Sequence, residues 1–204
     1  MSAAAATAPV ARPGRQRSEA ADQAILAATL DLLSAEGYGG LTVAAVIARA
    51  GVSSATLYRR WPDKQHLVAA ALASLHAEIV DVDSGSLEGD LAAFLGGIAE
   101  AMSLRRDDLA EDVAVELRRN PEFREAVNEK FLVPRLAVLQ AILERARARG
   151  DLGGGLGAEV AMSILAGPLH HRAFVLGQPI RPAFVRSVLT GGIAALQALA
   201  PPAR

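Results

Sequence analysis

The sequence predicts an all-α protein, and two observations lead to that prediction. Hydrophobic residues make up 51% of the 204 residues but aromatic residues only 4%, so alanine and leucine supply much of the apolar surface. Both amino acids favour helices. Apolar side chains also recur every three or four residues along most of the chain, which is the period of an amphipathic helix. We therefore expect a small three-helix domain near the N-terminus, followed by a larger helical domain.

The first predicted helix runs from about Ser18 to Glu36, and Gly37 is expected to end it. Residues 1–17 come before this helix. Their first part is rich in Ala, Pro and Gly, a composition that favours disorder. We predict a disordered arm at residues 1–17, which lacks the apolar core of a signal peptide.

A short helix and a tight turn are predicted next. Thr42 can cap this helix with its hydroxyl group. Val43, Val46 and Ile47 then form one apolar face. Gly51 lies where the chain must turn, because glycine adopts positive φ without the steric penalty of a Cβ atom.

The helix after the turn is predicted at Ser54–Arg60, with Ser53 as its N-cap. Pro62 ends it, because the residue before a proline is pushed out of the α region. Leu57 is its one clear inward anchor. Two helices joined by a short glycine-containing turn make a helix-turn-helix motif.

The outward side chains of this second helix suit a DNA groove. Methyl groups contact thymine, hydroxyl groups bind phosphates or bases, and the guanidinium groups of Arg59 and Arg60 bind guanine or phosphate. An ordinary helical hairpin with a solvated polar face shows the same pattern, so both interpretations stay open at this point. The residues that we expect to contact DNA from the motif are Thr42, Ser53, Ser54, Ala55, Thr56, Tyr58 and Arg59.

Cations outside the motif extend the predicted contact. Asp63 is the expected N-cap of the next helix, which puts Lys64 in the first turn, where a cation opposes the helix dipole. A lysine there can attract a phosphate together with the free N–H groups; a solvated surface lysine is the alternative. Arg15 and Arg17 lie on the arm, which is either a solubilising tail or reaches the phosphates or the minor groove.

The net charge of −1 is distributed unevenly along the chain. Residues 1–65 carry seven Lys or Arg and five Asp or Glu, which gives +2 and leaves −3 for the remainder. This asymmetry is consistent with a DNA-facing module attached to an acidic body.

Residues 50–64, AGVSSATLYRRWPDK, resemble the signature of the TetR family of transcriptional regulators. The resemblance is close over residues 18–72 and beyond them covers only the order and length of the helices. Ile47 departs from the family, which usually has a small residue there. The resemblance implies a DNA-binding domain at residues 18–65 and a helical ligand-binding and dimerisation domain at residues 66–204. It also implies a homodimer on double-stranded operator DNA, in most cases a repressor that a small-molecule effector releases.

Six helices are predicted after the motif, with a kink at Pro134 in the fourth of them. GDLGGGLG, residues 150–157, is predicted to be a flexible link rather than a phosphate loop, because no strand precedes it and no Gly-Lys-Ser/Thr follows. The expected helix bounds are Asp63–Val80, Leu87–Leu104, Asp107–Arg119, Pro121–Arg149, Ala158–Leu176 and Pro182–Leu199. Asn120 is the expected N-cap of the fourth helix.

A ligand pocket is predicted inside the larger domain. Its expected lining is mostly apolar, which favours a hydrophobic or aromatic molecule over a sugar or nucleotide. The candidate lining residues are Phe94, Ile98, Met102, Val115, Phe131, Met162, His170 and Phe174.

A dimer interface is predicted on the last two helices. Both are apolar over much of their circumference, and a second copy of the same surface would cover them. The candidate interface residues are Ile164, Leu165, Val185, Val188, Leu189 and Leu196.

Several classes of site and protein are not expected. The chain has no cysteine, which excludes disulfides and thiolate sites and fits a cytoplasmic location. His170 and His171 are adjacent and point about 100° apart on a helix, so they cannot both coordinate one metal ion from one face. No membrane span, cofactor or catalytic grouping is predicted. The alternatives are a DNA-binding regulator controlled by a protein partner or by no ligand, and an all-α metabolite-binding enzyme.

Overall fold

The computed structural model describes residues 13–75, 80–103 and 107–201, with side chains at 18–75, 80–102 and 113–201. Every regular element in this part of the chain is helical, and the predicted all-α class is confirmed. Contacts divide the chain into two compact units, residues 1–71 and residues 72–204. The predicted functional division after residue 65 stays a prediction.

The first unit holds the helices up to the first turns of α4. Their bounds are α1 Pro13–Gly40, α2 Val43–Ala50, α3 Ser54–Tyr58 and α4 Lys64–Ser74. α4 crosses the division between the units. The largest fully buried side chains of this unit are Ile25, Leu33, Leu41, Leu57 and Leu67.

α1 begins at Pro13, earlier than the predicted start at Ser18, so residues 13–17 of the predicted arm are helical. Proline suits a first helical turn because its missing N–H would have no partner there. Residues 1–12 of the predicted arm lie outside the described residues. Gly37 ends the regular helix as predicted, with φ 66° and ψ 176°.

α3 and α4 are both shorter than predicted. The N–H groups of Arg60 and Trp61 both donate to the Leu57 carbonyl, at 3.0 and 3.1 Å, which closes the chain into a turn before Pro62. α3 therefore ends at Tyr58 instead of Arg60. The predicted end of α4 at Val80 is wrong, because Val80 is not helical.

The second unit contains the remaining helices. Their bounds are α5 Leu87–Ser103, α6 Asp107–Arg119, α7 Pro121–Val127, α8 Val133–Arg149, α9 Ala158–His170 and α10 Pro182–Leu199. The predicted bounds of α6 and α10 are confirmed. The core lies between α5, α8, α9 and α10, and its buried members include Leu91, Phe94, Leu139, Leu143, Leu165 and Leu196.

Two π-helical segments lie within spans that were each predicted as one helix, the first of them with a kink at Pro134. Asn128–Leu132 lies between α7 and α8, directly before Val133 and Pro134. A proline removes one helical hydrogen bond and its ring clashes with the preceding turn. The helix is therefore interrupted next to Pro134, as predicted, and the interruption takes the form of a wider π-helical turn. His171–Val175 follows α9, which itself contains Pro168.

The predicted flexible link at residues 150–157 is anchored, and that prediction is wrong. The N–H of Gly153 donates to the Ala200 carbonyl at 2.8 Å. A Cβ atom at Gly153 would lie 2.1 Å from the Pro201 carbonyl oxygen, so only glycine allows this approach. Leu152 and Leu156 are buried in the core. Apolar side chains between the glycines hold the loop in place.

A buried carboxylate, Asp90, joins the start of α5 to α8. Its side chain is 0% exposed. Oδ1 accepts from the N–H and the hydroxyl group of Ser84, each at 2.7 Å, and Oδ2 accepts from Arg149 at 3.2 Å. The Arg145 guanidinium lies 3.6 Å from Oδ2 and pairs with both carboxylate oxygens of Asp81. We call these residues with Asp83 the Asp90 cluster.

α10 is long and apolar enough, by length and composition alone, to cross a membrane, and it is the one such helix among the described residues. It carries Arg186, and Val188, Leu189 and Leu196 are buried in the core of the second unit. The apolar face formed by these three residues is therefore accounted for by packing within the second unit.

Candidate functional site

Local hydrogen bonds shape the helix-turn-helix. The Thr42 hydroxyl accepts from the N–H of Ala45 at 3.2 Å and caps α2. Gly51 ends α2 in the left-handed region, with φ 65° and ψ 33°. The Ser53 hydroxyl accepts from the N–H of Thr56 at 3.2 Å and caps α3. The three predicted capping and turning roles are confirmed.

α3 presents one polar face to solvent. Leu57 is fully buried beneath it, whereas Tyr58 is 51% exposed. Ser54, Ala55 and Arg59 are also exposed. A five-residue helix with one inward anchor leaves its other side chains available to a groove.

Thr56 is only half-exposed, and its hydroxyl group lies 2.9 Å from the Ser53 hydroxyl. Both hydroxyl groups therefore help to define the N-terminus of α3. Ser53 and Thr42 are exposed as well, so both capping residues are accessible to solvent.

Arg60 does not belong to this exposed face, which corrects the prediction for its guanidinium group. Its Nε lies 2.6 Å from Asp22 Oδ1, and a second nitrogen donates to the Ser18 hydroxyl. Arg60 thus ties the end of α3 to α1. No local pattern in the sequence indicates this role, because the partners are about forty positions away.

Lys64 begins α4 as predicted, and it contacts Tyr38. Its ammonium group donates to the Tyr38 carbonyl at 2.5 Å and lies 4.4 Å from the centroid of the Tyr38 ring. Whether Lys64 also binds a phosphate stays a prediction.

Asp63 caps α4 and holds His66. Its Oδ1 accepts from the His66 N–H at 2.8 Å and lies 2.7 Å from His66 Nδ1. Burial alone would raise the pKa of Asp63, but these hydrogen bonds lower it below its ordinary value. The cap is therefore ionised at neutral pH.

The side chains of Arg15 and Arg17 lie outside the described residues, although their backbone is part of α1. Their predicted contact with DNA stays a prediction.

A cavity of about 360 Å³ lies within the second unit. This volume is in the range of small-molecule sites, about 300–1,000 Å³. Ile98, Met102, Phe131, Met162, His170 and Phe174 from the predicted pocket line it. Lining residues that the prediction missed include Leu72, Leu75, Ala101, Val113, Ala114, Leu117, Asn128, Arg135 and Ala166.

Phe94 and Val115 do not line the cavity, which corrects two predicted pocket residues. Phe94 lies one turn before Ile98 and is buried in the core. Val115 points away because α6 turns about 100° per residue, and its neighbours Val113 and Ala114 face the cavity instead.

One end of the cavity carries a stacked pair of rings. His170 and Phe174 have centroids 5.5 Å apart and planes inclined by 11°. His170 Nδ1 lies 2.9 Å from the Ala166 carbonyl oxygen. Phe174 is 47% exposed, so part of this ring pair faces solvent.

The structure corrects part of the predicted dimer interface. Leu165 and Leu196 are 0% exposed and pack in the core of one chain, so they cannot contact a second chain directly. Val188 and Leu189 pack in the same core but are each 9% exposed, and their place in the interface stays a prediction. The other two candidates, Ile164 and Val185, are half-buried.

The solvent faces of α9 and α10 carry other residues. Helical spacing places Val160, Ser163 and Gly167 on one face of α9. On α10 the exposed face carries Ala183, Ser187, Thr190, Gly191, Ala194 and Ala198. Small side chains there allow close approach of another helix.

Among the described residues, no group of three or more His, Cys, Asp or Glu side chains could hold a metal ion.

Comparisons with known proteins agree with this arrangement. Residues 25–71 match the family model described as bacterial regulatory proteins, tetR family, and residues 81–191 match the tetracyclin repressor-like C-terminal domain. The chain is 35% identical to an HTH-type transcriptional regulator of Mycobacterium tuberculosis, over 76% of this chain and 77% of that protein. It is 30% identical to the DNA-binding transcriptional repressor TetR of Mycobacteroides abscessus, over 83% of this chain and 90% of that protein. A solved TetR family transcription regulator has a TM-score of 0.63 at 25% identity, covering 85% of this chain and 97% of that one.

Proposed function

Because the chain belongs to the TetR family of DNA-binding transcriptional regulators, which are not enzymes, we propose that it is a homodimeric repressor released from a palindromic operator by a small, largely apolar ligand. Regulators of this family are soluble and generally cytoplasmic, and we propose the same location here. The observation that carries the proposal is the exposed polar face of α3, supported by buried Leu57 and capped by Ser53.

Operator binding uses α3 in the major groove. Helix-turn-helix dimers bind half-sites about one helical turn apart, roughly 34–36 Å, so the operator is near-palindromic. Tyr58 and Arg59 are the large exposed side chains of α3 and its C-terminus. Arg59 binds a phosphate or a base, and Thr42, Ser54 and Ala55 border the same groove.

The test is a fluorescence anisotropy titration of labelled DNA from the chain's own promoter region at several salt concentrations. Arg59→Ala should weaken binding and lower the salt slope by about one unit per half-site. Arg118→Ala removes an exposed arginine of α6 and serves as the matched control. If both variants change binding equally, α3 does not make the contact.

Dimerisation uses the exposed faces of α9 and α10. Small residues at Ser187, Gly191 and Ala194 let two copies of α10 approach closely. Ala194→Glu places an unpaired charge in that interface, at a cost of several kcal/mol. Ala93→Glu, at an exposed alanine of α5, is the control. If the Ala194→Glu variant still sediments as a dimer at micromolar concentration, the interface lies elsewhere.

Ligand binding in the cavity controls the operator complex. Leu72, in the last turn of α4, and Leu75 line the cavity, and Lys64 begins the same helix. A ligand that repositions residues 72–75 would move α4 and change the spacing of the two α3 helices.

To release the operator almost completely, a ligand must prefer the DNA-incompetent state by about 5.5 kcal/mol. Linkage requires that operator DNA weakens ligand binding by the same factor. Ligand titrations with and without operator measure this factor. Equal affinities in the two titrations would refute control by the cavity.

A further inference from the structure

The described lining of the cavity contains one permanently charged side chain, Arg135. The other polar lining groups are Asn128 and His170, and His170 is engaged with the Ala166 carbonyl and the Phe174 ring. An arginine keeps its charge at any physiological pH. The cavity is therefore an apolar space with one cation in its wall.

Phe131 fixes the position of this cation. The Arg135 guanidinium donates to the Phe131 carbonyl at 2.7 Å, and its central carbon lies 5.2 Å from the centroid of the Phe131 ring. Two contacts with one residue, four positions earlier, orient the guanidinium plane. A guanidinium carries five N–H donors, and the Phe131 carbonyl is the one acceptor that Arg135 has among the described residues.

Arg135 has no counter-ion among the described side chains. In contrast, Arg60, Arg145 and Arg149 each lie within 4.0 Å of a carboxylate oxygen. Burial lowers the pKa of the Arg135 guanidinium, and no acid among the described side chains offsets that effect. A partly desolvated charge without a partner is unfavourable for the ligand-free protein. An anion brought into the cavity would remove that penalty.

We infer that the ligand of this cavity is an amphiphilic anion, an apolar aromatic or aliphatic body that carries an oxyanion such as a carboxylate, and that Arg135 binds the oxyanion. The inference rests on the proposed function, because it takes the cavity as the ligand site. A guanidinium binds a carboxylate through two parallel hydrogen bonds. Met102, Met162 and Phe174 surround the apolar body and can adapt to its shape.

The test compares two fluorescent probes of the same shape with the full-length protein. 1-Anilinonaphthalene-8-sulfonate carries an oxyanion, and N-phenyl-1-naphthylamine is its uncharged counterpart. Arg135→Met removes the charge and keeps an apolar stem. Arg135→Lys keeps the charge, and Arg118→Met is the control for the loss of one exposed arginine.

We expect Arg135→Met to weaken binding of the sulfonate by about 10- to 100-fold, the order expected for loss of a hydrogen bond to a charged group, and to change binding of the uncharged probe by less than about twofold. Retained binding of the uncharged probe shows that the cavity of the variant is intact. Arg135→Lys should recover part of the affinity for the sulfonate, and Arg118→Met should bind both probes as the wild type does.

Equal weakening of both probes by Arg135→Met would overturn the inference, because Arg135 would then only shape the cavity. Failure of the wild type to bind the sulfonate more tightly than the uncharged probe would also overturn it. If the charge dependence is found but neither probe changes operator affinity, the inference stands and the proposed control of the operator fails.

Discussion

Arginines near the core of the second unit occur in two different environments. In the Asp90 cluster, Arg145 and Arg149 lie beside a fully buried carboxylate, and their further partners are Asp81 and Asp151. At the cavity, Arg135 contacts the carbonyl and ring of Phe131 and has no described acid beside it.

The difference separates a structural charge from a charge available to a ligand. Burial alone would raise the pKa of Asp90, but Ser84, Arg149 and Arg145 together lower it, so the carboxylate is stabilised in its charged form. The pKa of Arg135 is lowered by burial instead. Removing one partner of a buried charge pair is destabilising, whereas a desolvated charge with no acid partner among the described side chains is itself unfavourable for the ligand-free protein.

The largest expected effect is that of Asp90→Asn, which leaves two arginines without their central carboxylate. We expect the free energy of unfolding to fall by about 2–3 kcal/mol, less than the 3–5 kcal/mol for fully buried pairs because both arginines are partly exposed. Urea unfolding followed by far-UV circular dichroism measures it. The single tryptophan, Trp61, lies in the first unit and would report on that unit.

Glu88→Gln, an exposed acid in the same first turn of α5, is the control for Asp90→Asn. It should change the free energy of unfolding by less than about 0.5 kcal/mol. Equal effects of the two substitutions would show that Asp90 is no more important than a surface acid.

The second prediction concerns acid pH. Because the pKa of Asp90 is lower in the folded protein than its ordinary value of about 3.9, its contribution is fully present above that value and is lost as the pH falls through the folded value. The stability difference between wild type and Asp90→Asn should be constant from pH 7 to pH 5 and should shrink below about pH 4. A difference that stays constant to pH 3 would contradict the role of the ionised carboxylate.

Arg145→Met should have a smaller effect, about 1–2 kcal/mol, because Arg149 still contacts Asp90 and the Arg145 side chain is partly exposed. The loss comes from the paired hydrogen bonds with Asp81 and the contact with the Val82 carbonyl. The measurement is the same urea titration. An effect as large as that of Asp90→Asn would mean that Arg145 alone holds the cluster.

Arg135→Met should have the smallest effect on folding, within about 0.5 kcal/mol of the wild type or a slight stabilisation, because a desolvated charge is removed and an apolar stem is kept. Thermal and urea unfolding without ligand measure it. A loss of more than about 1 kcal/mol would place Arg135 with the structural arginines and weaken its assignment to a ligand.

Local signals in the sequence predicted most of the fold. Caps at Thr42, Ser53 and Asn120 and the turn at Gly51 are encoded by residues within four positions of one another, so each could be identified alone. Contacts between distant residues could not be predicted in this way. Arg60 was assigned to the DNA face because nothing near it in the sequence indicates Asp22 or Ser18.

The cavity shows the same limit. Ile98 and Phe131 are correctly predicted lining residues, but helical spacing cannot show which side of α6 faces inward, so the prediction names Val115 and misses Val113. Leu165 and Leu196 were assigned to a dimer because both helices are apolar, whereas each is buried within its own chain. Arg135 lies four positions after Phe131, a spacing that could have identified the pair.

The two π-helical segments give the cavity a means of variation that requires no substitution. Asn128–Leu132 supplies Asn128, Phe131 and Leu132 to the wall, and His171–Val175 supplies Phe174. A π-helical turn corresponds to one residue inserted into an α-helix. Deleting one residue from either segment would restore the α-helical period and rotate the side chains on one side of the deletion by about 100° relative to the other. In evolution, the loss or gain of one codon at these sites would exchange the set of residues that faces the ligand.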